Sequence, residues 1–171
     1  GHRLGQKGVE ALAAELRADQ TIRKLVLCDT TLGPGGAGPI AEMLLQNECI
    51  TDLTLQLNGL GDRGACAIAH GLAAGSTCNL RSLALEEEGI GEAGITAIAA
   101  ALSPRGARGP ALALLEKLSL RGNPVSTPGA GALARALHLN TTLERLDLSS
   151  CSLSGLGAAR LAEALPHNCT L

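Results

Sequence analysis

One interval governs this chain. Counting a unit from Ile22, its first position returns at Ile50, Leu80, Leu115, Leu143 and Leu171, at spacings of 28, 30, 35, 28 and 28 residues. Position 15 is glycine every time: Gly8, Gly36, Gly64, Gly94, Gly129 and Gly157. Position 20 is always alanine (Ala13, Ala41, Ala69, Ala99, Ala134, Ala162), and position 23 always leucine (Leu16, Leu44, Leu72, Leu102, Leu137, Leu165). Such agreement at three positions marks an internal repeat, and a repeat of this length marks a stack of supersecondary units.

Two spacings inside the unit define its parts. Leucines at positions 4 and 6 (Leu25 and Leu27, Leu53 and Leu55, Leu83 and Leu85, Leu118 and Leu120, Leu146 and Leu148) are two apart, so both leave one face of a short strand. Apolar residues at 16, 19, 20 and 23 are three and four apart, which is one face of a helix. Each unit is expected to run strand, turn, helix, return turn. A single unit cannot bury its own apolar face, so units stack, with strands pairing in parallel. Helices are wider than strands (about 10 Å against about 4.8 Å), so the stack must bend with the strands inside. The small residues at 15 and 20 let the helix lie close to its neighbours.

The pattern L-x-x-L-x-L-x-x-N-x-L followed by a glycine-led helix resembles the leucine-rich repeat family, and the 28-residue period resembles its ribonuclease-inhibitor-like class. The resemblance covers essentially the whole chain. It implies an α/β solenoid, a horseshoe segment with parallel strands on the concave side and helices on the convex side. The expected organisation is a single domain over 1–171: a partial unit 1–21, then units 22–49, 50–79, 80–114, 115–142 and 143–170. The frame opens and closes in mid-unit without polar capping repeats, so the expectation is a segment of a longer protein. Position 9 departs from the family preference for Asn or Cys. It holds Thr30, Asn58, Glu88, Asn123 and Cys151. Glu88 is expected to distort its coil or to turn into solvent.

Positions 3, 5 and 7 of each strand should face away from the core. Among them, Lys24, Asp52, Gln56, Glu86, Lys117, Arg121, Arg145 and Asp147 are candidate partner contacts, with Glu86, Glu87 and Glu88 as a central acidic spot. The longest unit carries an insertion near 103–113, SPRGARGPALA, whose Pro and Gly residues imply a surface loop. Arg105 and Arg108 make it a second candidate contact. Catalytic, cofactor and metal residues are not identified. GPGGAG at Gly33–Gly38 lacks the Lys-Ser/Thr of a phosphate loop and is read as a strand-to-helix turn. His70, His138 and His167 have no ligand spacing on one helix, and Asp62 and Glu92 suit helix starts. Asn140-Thr-Thr and Asn168-Cys-Thr match glycosylation sequons but are read as helix exits.

Composition narrows function further. The net charge of −2 gives no field to recruit nucleic acid or an anionic membrane, and no apolar run is long enough to span a bilayer. Phe, Tyr and Trp are absent, so bases have no stacking platform and the surface lacks aromatic anchors. Six scattered cysteines without CxxC spacing are read as free thiols in a reducing compartment. The expectation is a non-enzymatic protein–protein interaction or scaffold module of a larger intracellular assembly. Its partners are other proteins, with no cofactor, nucleic acid, membrane or small-molecule substrate. Its location is cytoplasmic, in a cytoskeletal, ciliary or flagellar setting. The resemblance also implies two alternatives, the ligand-sensing region of a NOD-like receptor and a GTPase activator like that of Ran.

Overall fold

The computed structural model describes residues 3–74, 79–103 and 114–171. Helix α1 (Gly5–Leu16) leads into five strand–helix units: β1 (Lys24–Cys28) and α2 (Gly33–Leu44), β2 (Asp52–Gln56) and α3 (Gly61–Ala74), β3 (Ser82–Glu86) and α4 (Glu92–Leu102), β4 (Lys117–Ser119) and α5 (Thr127–Leu139), β5 (Arg145–Asp147) and α6 (Gly155–Ala164). A short 3-10 turn, Leu165–His167, follows. The strands form one parallel sheet in sequence order. Leucine stands beside leucine across it, Leu25 by Leu53 by Leu83 by Leu118 by Leu146. The longer intervals are therefore absorbed outside the strands, and the register is kept.

Burial follows the two periods. Position-4 and position-6 leucines of β1 to β4 are buried, and so are Ile40, Ile68, Ile98 and Leu133 on the facing helices. Two chain segments approach closely only because a side chain is missing. A Cβ on Gly94 would lie 2.5 Å from Ile90 Cγ2 and 2.9 Å from Ala65 Cβ, so alanine there would push α4 off both its own strand-side turn and α3. Gly71 is set the same way against Ala41 of α2, at 2.7 Å.

The strands stop where the backbone turns left-handed. Position 8 has positive φ in all five units (Asp29, Leu57, Glu87, Gly122, Ser150), and position 10 in four (Thr31, Gly59, Gly89, Ser152). In the β4 unit Pro124 occupies position 10, where its ring keeps φ negative. Position 9 lies between these bends and points into the stack.

A second polar column, not anticipated from sequence, closes the helix exits at position 26. Asn47 Nδ2 donates to the Leu16 and Asp19 carbonyls at 2.7 and 3.0 Å, while Asn47 Oδ1 accepts from the Cys49 and Ile50 amides. Asn140 donates to the Leu102 carbonyl and accepts from the Thr142 and Leu143 amides. Asn168 repeats this against Leu137 and Asn140. Both sequon asparagines are thus committed to return turns, and the Asn140 side chain is buried. GPGGAG lies wholly within α2, with a proline in its first turn, and leaves no loop to cradle a phosphate. Asp62 and Glu92 reach across units. Asp62 Oδ1 accepts from the Gly91 and Gly94 amides at the start of α4, and Glu92 accepts from the Ser126 hydroxyl.

Leu72 is 1% exposed between the helix layer and the sheet. Leu72→Ala should lower unfolding free energy by about 2–5 kcal/mol, read as the shift in a denaturant titration at unchanged slope.

Candidate functional site

The open face of the sheet is assembled by register. Position 3 forms the row Lys24, Asp52, Ser82, Lys117, Arg145; position 5 forms Val26, Thr54, Ala84, Ser119, Asp147. Neighbouring strands are about 4.8 Å apart, so charges in one row act on a common surface. The structure brings together Glu86, Lys117, Arg145 and Asp147, which line an open depression of about 260 Å³ with Ser82 and Ser119. Ser119 Oγ donates to Glu86 Oε1 at 2.8 Å. The hydroxyl and amide of Ser149 hydrogen-bond the Asp147 carboxyl, and with the charges of Arg145 and Arg121 they hold it below the ordinary aspartate range. Lys24 and Asp52 stand in register at the other edge, and Gln56 continues beside Glu86. Among the described residues the ion pairs are Arg17–Glu42, Arg81–Glu116 and Arg160–Glu163. None involves a charge on this face.

Glu88 leaves the candidate surface, and the expectation for it is corrected. It is 1% exposed, neither distorting its coil nor turning to solvent. Its carboxylate takes the place of an asparagine in the position-9 ladder. Glu88 Oε2 accepts from the Leu60 amide at 3.0 Å and the Asn58 amide at 3.2 Å, just as Asn123 Oδ1 accepts from the Ile90 and Glu88 amides. The extra methylene supplies the reach. What glutamate lacks is the donor half. Asn58 and Asn123 each give an N–H to the preceding coil, to the Leu27 and Leu85 carbonyls, and the Cys151 thiol gives its proton to Leu120. An ionised Glu88 has nothing to give. Burial raises its carboxyl above the ordinary value, against the opposing pull of the Leu60 and Asn58 hydrogen bonds.

Glu87 is exposed at the left-handed position 8, with its side chain lying over Gly122. Arg105 and Arg108 lie outside the described residues. A larger groove of about 780 Å³ opens on the other side of the molecule, between α5 and α6. It is lined by Gly131, Ala134 and Ala164 with Arg135, His138 and Arg160, and shares no residue with the sheet face. His138 and His167, one coil apart, meet edge to face at 4.7 Å, a pairing their separation in sequence concealed. Among the described residues no group of three His, Cys, Asp or Glu side chains is placed to hold a metal, and no helix is long and apolar enough to cross a membrane.

A leucine-rich repeat family model matches residues 46–69, 112–134 and 139–162. The chain is 30% identical over 148 residues to pig (Sus scrofa) ribonuclease inhibitor, covering 86% of this chain and 31% of the relative. It is also 30% identical over 153 residues to bovine (Bos taurus) NACHT, LRR and PYD domains-containing protein 5, covering 88% of this chain and 13% of the relative. In shape it matches the tropomodulin C-terminal domain of Caenorhabditis elegans with a TM-score of 0.71 at 15% identity, over 94% of this chain and 92% of that one. It matches leiomodin-1 actin-binding site 2 with a TM-score of 0.66 at 21% identity, over 91% and 86%. The fold is thus a leucine-rich repeat solenoid. The chain belongs to the ribonuclease-inhibitor-like class of leucine-rich repeat proteins, and it spans less than a third of the length of these two curated relatives.

The Glu88 geometry sets a pH dependence. With a folded value above the unfolded 4.5, the folded state holds more protons across the window between them. The stabilisation is full below pH 4.5 and is lost as pH rises through the folded value. Glu88→Asn restores the donor and removes the buried charge. It should raise stability at pH 7 by about 1 kcal/mol and flatten this part of the pH profile, as measured by denaturation at several pH values.

Proposed function

We propose that this chain is a non-enzymatic interaction module that holds a protein partner across the open sheet face. The observation that carries the reading is a set of charges of both signs, none of them in a salt bridge among the described residues: Asp52, Glu86 and Glu87 on one side, and Lys117, Arg121 and Arg145 on the other, with Asp147 among the cations. Complementary charge of this kind sets orientation and association rate more than bulk affinity. The backbone of the inner strands β2 to β4 is paired on both sides within the sheet, so what they offer a partner is their outward side chains. Similarity to ribonuclease inhibitor, whose name describes action on another protein, supports a protein partner. The insertion bearing Arg105 and Arg108 is a second proposed contact.

The ligand-sensing region of a receptor is a second reading, supported by the match to a protein named for NACHT, LRR and PYD domains. The ciliary or flagellar setting and the Ran-type activator draw no support from these relatives.

Reversing the basic strip with Lys117→Glu, Arg121→Glu and Arg145→Glu should weaken partner association at least tenfold, chiefly through the on-rate, with the circular dichroism spectrum unchanged. Crosslinking in cell extract, with and without the three changes, measures this. Equal yields of the same crosslinked partners would overturn the reading.

A further inference from the structure

One rim of the sheet face carries a feature that folding does not explain. Leu57 has φ of +57° and is 49% exposed. A leucine in the left-handed region costs roughly 1–2 kcal/mol. The same place in other units holds Asp29, Glu87, Gly122 and Ser150, so the turn does not require an apolar residue. The Leu57 side chain belongs to no part of the buried core. It is unfavourable for the backbone and unfavourable for solvation, and such an outlier points to a surface that binds. Val26, on the neighbouring strand, is also 49% exposed, and half-buried Cys28 lies between them along β1. At about 3.3 Å per residue, Val26 and Leu57 stand roughly 10 Å apart, within reach of one short segment of a partner.

The flanks are acidic. Backbone hydrogen bonds carry the ladder one residue past the strands, Asp29 N to Gln56 O at 2.8 Å, Leu57 N to Glu86 O at 3.2 Å, and Glu87 N to Arg121 O at 2.9 Å. Asp29 and Glu87 therefore sit one rung to either side of Leu57, with Glu86 beside them. None of the three carboxylates has an ion-pair partner among the described residues. With no Phe, Tyr or Trp in the chain, any aromatic anchor must come from the partner.

We propose that this rim, Val26, Cys28 and Leu57 between Asp29 and Glu86–Glu87, docks a peptide segment of another protein in which an aromatic or large aliphatic residue is flanked by lysine or arginine. The proposal rests on the interaction-module reading and assigns it a site outside the basic strip. The absence of tryptophan makes the test free of background. A synthetic peptide Arg-Lys-Ala-Trp-Ala-Lys-Arg is titrated with the full chain while its tryptophan emission is followed. The expected result is a saturable blue shift that weakens with salt. A counterpart with glutamate for lysine and arginine should bind at least tenfold more weakly. Leu57→Gly, which removes the side chain and suits the backbone, should lose at least tenfold in affinity while the melting temperature holds or rises. Leu57→Asn tolerates the same φ and provides an independent check, with the same expected loss. Asp29→Asn with Glu87→Gln should remove most of the salt dependence. Unchanged affinity in both Leu57 variants, equal binding of the acidic peptide, or no blue shift with the parent chain would overturn the proposal. So would a self-association of the parent chain, seen in sedimentation, that Leu57→Gly abolishes, because the occupant would then be a second copy. If the rim variants have no effect while reversal of the basic strip still removes crosslinked partners, this proposal fails and the broader reading stands.

Discussion

Burial between successive coils is the interaction on which the molecule depends. No coil closes on itself; each presents leucines at positions 4, 6 and 23 to the next. The difference between inner and outer coils shows how much this lateral contact contributes. Leu72, flanked on both sides, is 1% exposed, whereas Leu165 at the same position beyond α6 is 49% exposed. Leu146 and Leu148 of β5 are only half-buried, while their counterparts in β2 and β3 are closed off. Stability in such a stack is a sum of unit and nearest-neighbour terms, so a weakened interface between two coils is felt locally.

Lateral burial supplies energy without direction, and two hydrogen-bonded columns supply the direction. At position 9, Asn58, Glu88, Asn123 and Cys151 tie their strand-to-helix turns to the coil before, and at position 26 Asn47, Asn140 and Asn168 do the same at the helix exits. Both use a side chain that donates and accepts in fixed geometry, which is why asparagine serves both. A coil that slid by one residue would break these bonds and turn its leucines outward. Glu88 is the place where the first column is half made. A carboxylate accepts as asparagine does but cannot donate, and the low-dielectric setting penalises its charge. The result is a joint in the middle of the sheet whose strength varies with protonation.

Much of this was readable from residue spacing, because the periods of two and three-to-four are direct projections of strand and helix geometry. Gly94 and Gly71 show the limit of that reading. The constancy of position 15 announced close packing, but Gly71 lies at a position that varies, and only the contact with Ala41 explains it. The position-26 column is not legible in the sequence because asparagine stands there in only three of the five units, with Gly75 and Arg105 in the other two. Asn79, four residues after Gly75, donates to the Glu48 carbonyl. Glu88 is not legible from residue type alone, because the length of its side chain is what lets its carboxylate reach the Leu60 and Asn58 amides. On the sheet face, alternation identified the outward charges. That none of them forms a salt bridge among the described residues was not accessible, since pairing depends on which rotamers adjacent strands allow. Leu57 was hidden for a related reason. Nothing in its identity says that it occupies the left-handed bend that ends the strand instead of the strand itself.

These constraints also define how such a surface can bind. A sheet whose strands are locked by register and by polar columns on both sides has little freedom to reshape itself, so ordering costs at the face are small and specificity resides in the outward side chains. The chain has no aromatic residue to act as a hot spot, and its outward residues are mostly short or charged. Affinity must then come from charge distributed over several strands, together with whatever apolar contact the rim provides. That division of labour separates the two proposed contacts in kind. The basic strip, like the carboxylates that flank the rim, acts at range, is screened by salt and steers approach. The apolar side chains of the rim, Val26 and Leu57, act only on contact and govern how long a partner stays.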